Sequence, residues 1–410
     1  MLDLREIKEV CFFIRCGILM YMLDREQLEV LRQDIRRLTE LDREHLDGIR
    51  REIRSLRDMV KRIRPRNTTA VALMATDGGE NYIRFDPYLI IPVRVVDSYG
   101  KPHYVGAVSP YTDIARLNEF HLQEDTPLGV LMQDLGVQGL WELSRFIPHP
   151  DTPPQEIRRR WVQVYRDLVE WAVLYTYVMY QSFATDTLLV RDGFLRGLVF
   201  QPELFKRMWA RIRERVEALR TQERRRVFLV GIAKQSRILD RYHLAMFLEG
   251  ILVRPDPCYL PVPRFMEEQV YRWTQYGRAP EAEAESSEVR YEVIGKLHFA
   301  KFGDRPYDPI YPVDVWVYHE EQGEVDEVFS YLLADAQAGF PQPFYPLCLQ
   351  RAHEQANLSG LEGEMLQALV IEAIRDAVCG DEGNTQHELN TLEAFRLLGR
   401  AKRGGGGERR

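Results

Sequence analysis

Two β-forming runs, VALMATDG and TLLVRDG, each close on an aspartate followed by a glycine, at Asp77 and Asp192. Their apolar and β-branched residues suit a pleated, half-buried strand, and a glycine directly after lets the backbone turn sharply. One such junction is an ordinary turn signal. Two of them, on strands separated by a long helical stretch, point to an α/β fold that presents carboxylates at strand ends.

The pattern around them supports this. Residues 1 to about 64 read as helical, with no proline before Pro65 and with Leu, Ile and Met recurring three and four apart among Arg and Glu. They form an N-terminal helical arm, to residue 66, that suits a dimer or partner contact. After Asn67 short strands begin, and YLIIPVRVVDSYGKPHYVGAVSP predicts a hairpin turning at Ser98, Tyr99 and Gly100. A helix is expected over roughly 155–182, entered through Pro153 and Pro154, then the strand TLLVRD. A further helix, the strand VFLVGIAK and a helix containing RYHLAMFLEG follow. The acidic stretch APEAEAESSE reads as an exposed loop, EVIGKLHFAKF and YPVDVWVYH as paired strands, and 325–338, 346–357 and 360–378 as helices. The chain thus divides into the arm (1–66), a main domain (67–400) and a glycine-rich tail (401–410).

Bulk properties set limits on function. A formal net charge of −7 argues against a protein that coats nucleic acid indiscriminately, so any nucleic-acid site must be a local basic patch. The five cysteines are scattered without a CxxC pair, which suits a reducing cytoplasm better than a disulfide framework or a zinc ribbon. The apolar run CFFIRCGILMYML is interrupted by Arg15 and is too short for a membrane span, and it reads as a buried or dimerising helix.

The order strand, hairpin, helices, strand, helix, strand is that of a ribonuclease H-like mixed sheet flanked by helices, where carboxylates of the first and a later strand meet at one edge. Paired carboxylates at strand ends are how α/β nucleases commonly hold divalent metal. Asp77 and Asp192 offer hard oxygen ligands suited to Mn²⁺ or Mg²⁺. Glu170 is the candidate third carboxylate, because VYRDLVEWAVLYTYV places it in an otherwise apolar helix, where a buried carboxylate needs a partner or a metal. Asp167, one turn earlier, is the fallback. Lys234, after the strand FLVGI, is placed to neutralise phosphate charge. Tyr345 and His353, in PQPFYPLCLQRAHEQA, are eight residues apart, so a helix after Pro346 would turn both rings toward one cleft.

The ordered set TDGG, Glu170, RDGFL, GIAKQS and PFYP followed by AH resembles the NurA family of nucleases, which partner the HerA ATPase in processing DNA ends. The resemblance covers about residues 68–378. It implies a ribonuclease H-like fold, a homodimer, Mn²⁺-dependent single-strand endonuclease and 5′ to 3′ exonuclease activity, and docking on a hexameric HerA-like ring. By the same resemblance Asp77, Glu170 and Asp192 match the metal-binding carboxylates, Tyr345 and His353 the late tyrosine and histidine. The chain departs from the family's usual DGS in having Gly79 and Phe194 at the third place, and its Glu170 lies somewhat further from the second aspartate.

With two ions, one would activate a water and the other stabilise the leaving oxygen, with Lys234 countering the charge of the phosphorane and His353 moving a proton. The competing readings are a non-catalytic DNA-binding or scaffold subunit and a ribonuclease H-like nuclease of another substrate class. The chain carries no GxxxxGK[ST] loop, so a motor would have to come from an ATPase partner.

Overall fold

The computed structural model describes residues 25–66, 71–80, 83–85, 88–276, 293–357 and 360–379. The run CFFIRCGILMYML, the acidic loop and the glycine-rich tail lie outside the described residues.

Among the described residues helices α1 (Arg25–Leu41) and α2 (Arg43–Arg54) come first, and the helical reading of the arm ends there. Residues Lys61–Arg62 form an edge strand, β1, instead of continuing the helix. Tertiary pairing overrides the local helical pattern, because β1 finds an open edge to pair with. Ile49, Ile53 and Leu56 are buried in a shared apolar cluster with Ile238, Tyr242 and Met246. The second half of the arm is therefore packed on the body.

Next come β2 (Val71–Glu80), β3 (Ile83–Phe85) and the hairpin β4 (Tyr88–Asp97) and β5 (Pro102–Val108), the last turning through Gly100 at φ 82° as the sequence predicts. Helices α3 (Ile114–Gln123), α4 (Pro127–Leu135) and α5 (Trp161–Tyr180) carry the chain across to β6 (Asp186–Asp192). Both α3 and α4 start on capping side chains, Asp113 accepting from the Arg116 amide and Thr126 from that of Gly129. Then follow α6 (Pro202–Ala218), β7 (Val227–Ile232), α7 (Arg237–Glu249), β8 (Cys258–Pro261) and α8 (Arg264–Tyr276). Last among the described residues are β9 (Gly295–Lys301), β10 (Ile310–Trp316), α9 (Val325–Gln337), α10 (Leu347–Ala356) and α11 (Gly360–Cys379).

The described strands form one mixed sheet in the order β1-β8-β9-β10-β7-β6-β2-β4-β3, with β5 also on β4. Only the centre is parallel: β6 pairs in parallel with β2 on one side and β7 on the other, and every other pairing is antiparallel. A parallel pair needs a crossover, and the helices α3 to α5 and α6 supply the two crossovers here. Both faces of β6 and β7 are consequently covered, which is why LLV and VFLVGI read as unbroken apolar runs. Leu189 and Leu229 pack on the side of α5 and α6, and Leu188, Val190, Phe228 and Val230 on the side of α9 and α10. No described helix is long and apolar enough to cross a membrane.

Candidate active site

Because β2, β6 and β7 run the same way, their C-terminal ends emerge at one edge of the sheet. The last β2–β6 pair is Thr76 with Arg191, so Asp77 and Asp192 are the next residues on two strands hydrogen-bonded side by side. Neighbouring strands stand ~4.8 Å apart, so the two backbone positions are close neighbours. The Asp77 backbone position is set by this register and by its pairing with Val96 of β4, while its side chain lies outside the described residues. Asp192 is half-buried.

The two Asp-Gly junctions differ. After Asp77 there is no turn: β2 continues through Gly78, Gly79 and Glu80, which pair with Val95, Arg94 and Val93. The sharp turn expected there is corrected because β4 offers a hydrogen-bonding edge that keeps the strand extended. After Asp192 the turn is real, with Gly193 at φ 103° and its amide donating to the Ile232 carbonyl at 2.9 Å. The turn folds back over β7 where Gly231 leaves room; a Cβ at Gly231 would stand 2.3 Å from the Gly193 carbonyl oxygen.

Glu170 reaches this edge from α5. Its carboxylate lies 3.3 Å from Arg166 Nε and 3.6 Å from Arg191 Nη2, and the same Arg191 nitrogen pairs with Asp167. Arg191 itself is buried, its guanidinium 4.3 Å from the Trp171 ring centroid and donating to the Phe194 carbonyl at 3.1 Å. One arginine next to Asp192 thus gathers both helix carboxylates at the end of β6. Sequence reasoning passed over Arg191, although the RDG string held it in view.

Successive residues of a strand point to opposite faces. Leu189 and Arg191 belong to the α5 side, so the position of Asp192 continues the row of Leu188 and Val190. That row packs with Tyr345, Cys348 and Ala352. Lys234, two residues beyond β7, is on this side as well, with Nζ 5.4 Å from the centroid of the Tyr345 ring.

Tyr345 is fully buried and its ring sits 5.1 Å from that of Tyr311. A Gln350 side chain fixes the segment before it, donating to the Tyr345 carbonyl at 2.8 Å and the Gln342 carbonyl at 2.9 Å. A buried ring offers no face for a nucleobase, and the charged neighbour this ring meets is Lys234, in a cation–π contact. His353 is exposed on α10, with Nε2 3.0 Å from Asn357 Nδ2. The eight-residue spacing therefore does not bring both rings into one cleft: Pro346 caps α10, and Tyr345 precedes the helix and enters the core.

A second feature absent from the sequence reading anchors the loop after Asp192. Asp314, fully buried in β10, accepts from the Leu195 amide at 2.9 Å and lies 3.6 Å from Arg196 Nε. Arg196 Nη2 also donates to buried Glu267 at 2.8 Å. Burial pushes the carboxyls of both Asp314 and Glu267 above their usual range, with Arg196 opposing that shift in each. A lone Asp inside the apolar run YPVDVWVYH was the available signal.

The adjacent Asp77 and Asp192 offer donors that suit a hard divalent ion, whereas Glu170 comes from α5, on the face of Arg191, and would have to reach them over the edge of the sheet. Among the residues whose side chains are described, no three His, Cys, Asp or Glu groups converge on a common point.

These features define a mixed α/β fold with two aspartates side by side where the parallel pairing of two adjoining strands ends. No family model matches the chain, and no curated protein matches its sequence. Among solved structures the chain is similar to the NurA nuclease from Sulfolobus solfataricus, at 14% identity over 87% of this chain and 99% of that one, with a TM-score of 0.37. It is similar also to a NurA structure with manganese (11%, 84% and 98%, 0.38) and to NurA bound to dAMP and manganese (14%, 87% and 99%, 0.35). Likenesses this distant leave the functional reading to the residues themselves.

Proposed function

We infer that this chain is a divalent-metal-dependent deoxyribonuclease, a phosphodiester hydrolase whose centre is where the pairing of β2 with β6 ends. The observation that carries this is the placement of Asp77 and Asp192 as next neighbours beyond the Thr76–Arg191 pair, with Lys234 on the Asp192 side of the sheet. Asp77, Asp192 and Glu170 would hold Mn²⁺ or Mg²⁺, two ions in the family-like arrangement. Bound there, the metal supplies a lowered water pKa and charge neutralisation at phosphate. Lys234, oriented by Tyr345, places a positive charge beside the scissile group. His353, exposed on α10, is the candidate for proton transfer. Arg191 holds Asp167 and Glu170 in place.

The resemblance in RDGFL, GIAKQS and PFYP with AH supports a finer reading. In it the chain is a cytoplasmic homodimer acting as a single-strand endonuclease and 5′ to 3′ exonuclease, seated on a HerA-type hexameric ATPase during DNA end resection. A net charge of −7 and the lack of a phosphate-binding GxxxxGK[ST] sequence suit a nuclease fed by a separate motor.

The test is cleavage of labelled single- and double-stranded DNA with Mn²⁺, by the chain alone and with its ATPase, against Asp77→Ala and Asp192→Ala. Loss of cutting in both folded variants and in EDTA is expected. Full activity in either variant overturns the assignment.

A further inference from the structure

Away from the carboxylates, a cleft of about 850 Å³ opens at the start of α5, between the Trp141–Gln163 segment and the stretch Val199–Gln201 that leads from Asp192. Three arginines, Arg145, Arg158 and Arg160, line it against a single carboxylate, Glu156. All three arginines are exposed, and among the described residues none has a carboxylate within ion-pairing distance. On a chain of net charge −7, this is a local basic patch of the kind a polyanion requires.

Aromatic rings are interleaved with the charges. Phe146 is 43% exposed, with the Arg145 guanidinium 4.9 Å from its ring centroid. Trp141 meets His149 edge to face at 4.9 Å, and the Trp161 indole forms the floor, its Nε1 donating to the Pro110 carbonyl at 3.1 Å. Exposed rings beside unpaired guanidinium groups offer stacking faces for bases and counter-charge for phosphates together.

The cleft also adjoins the candidate centre. Gln163 lines it, and residues four and seven positions on from Gln163 share its side of a helix; those residues are Asp167 and Glu170. The other wall, Val199 and Gln201, belongs to the chain leaving the Asp192 turn.

We propose that this cleft is a binding subsite for single-stranded DNA, stacking a base on Phe146 and pairing phosphates with Arg145, Arg158 and Arg160, so that the strand continues along α5 to the sheet edge. The proposal deepens the nuclease reading and rests on it for the choice of DNA. Duplex DNA, with its bases stacked inside, cannot use the Phe146 face and binds more weakly.

The test is fluorescence anisotropy of a labelled oligothymidylate with the full chain in EDTA, titrated over a range of salt. Wild type is expected to bind, with affinity falling as salt rises. Phe146→Ala weakens binding by roughly 5- to 150-fold, and Phe146→Tyr restores it. The triple change Arg145→Gln, Arg158→Gln, Arg160→Gln lowers the slope of log K against log salt by about 2, at ~0.7 per phosphate contact on a single strand. An equal charge change on α1 and α2 (Arg36, Arg37 and Arg43 to Gln) leaves the slope as it was.

Wild-type affinity and slope in the cleft variants overturn the proposal, as do an equal effect from the α1 and α2 control, equal binding of duplex, or no binding by wild type. Cleavage with Mn²⁺ separates the two ideas. A chain that binds through the cleft yet never cuts leaves the subsite standing and sinks the nuclease reading; one that cuts while ignoring the cleft sinks the subsite alone.

Discussion

Replacing Arg196 by methionine tests how the Asp192 turn is held. The substitution keeps much of the side chain's volume and removes the charge shared by Glu267 and Asp314. The three side chains are only 5%, 3% and 0% exposed, so solvent screens little of the loss. Breaking a buried pair by deleting one partner costs about 3–5 kcal/mol, because the remaining charge is left uncompensated. At ~2.1 cal/mol/K per residue, that corresponds in a chain of 410 residues to a drop of about 3–6 °C in the unfolding midpoint. The sign of the pH dependence follows from the carboxyls. Both have folded-state pKa values raised by burial, and Arg196 opposes the rise in each. Without Arg196 those values climb further. A raised carboxyl contributes stability below its unfolded pKa, near 4, and loses it as pH rises through the folded value. The deficit of Arg196→Met relative to wild type should therefore be largest near neutral pH and shrink in mild acid. Urea unfolding followed by circular dichroism at two pH values measures this. A neutral-pH deficit under about 1 kcal/mol, or one equal at both pH values, refutes the argument that this network is a compensated buried charge set.

Glu170→Gln should abolish cleavage with little change in fold; if it cuts normally while Asp167→Asn is dead, the two helix carboxylates exchange roles. Lys234→Ala should lower kcat by roughly 10²-fold with KM little changed, since one charge-stabilising donor is lost; an unaltered kcat removes Lys234 from the chemistry. Burial drives the His121 pKa down to about 4, with its ring nitrogens bonded to Thr126 Oγ1 and Tyr165 Oη. A lowered histidine contributes stability above its ordinary value of about 6.5 that is lost as pH falls through the folded value, here of order 3 kcal/mol. His121→Gln should flatten the acid limb of the stability profile, and an unchanged limb would show that other groups set it.

Legibility in the sequence followed the range of the interactions. The β4–β5 hairpin, α5, β6, β7 and the β9–β10 pair were readable because alternation, apolar runs and turn residues are local signals. Strand β1 was not, since two residues inside a basic helical pattern become a strand only through the edge of β8. The extension of β2 past Gly78 escaped for the same reason, the glycine being held straight by a neighbouring strand. At the site, single residues could be named, but their assembly could not. Arg191 bridging to Asp167 and Glu170, and Arg196 lying between Glu267 and Asp314, join segments far apart in sequence that no periodicity links.

The parallel centre of the sheet has a consequence for synthesis. Thr76 and Arg191, which pair next to the two aspartates, are roughly 115 residues apart, so their closure is slow and comes late. The outer edge of β7 waits longer still, because its partner β10 begins only at Ile310. At ~5–20 residues per second, a ribosome that has released β7 leaves that apolar edge unpaired for several seconds. During that interval the chain offers a template for another strand to add to. A message truncated between the codons for Ile232 and Ile310 would make that exposure permanent, and its product should aggregate while the full-length chain does not.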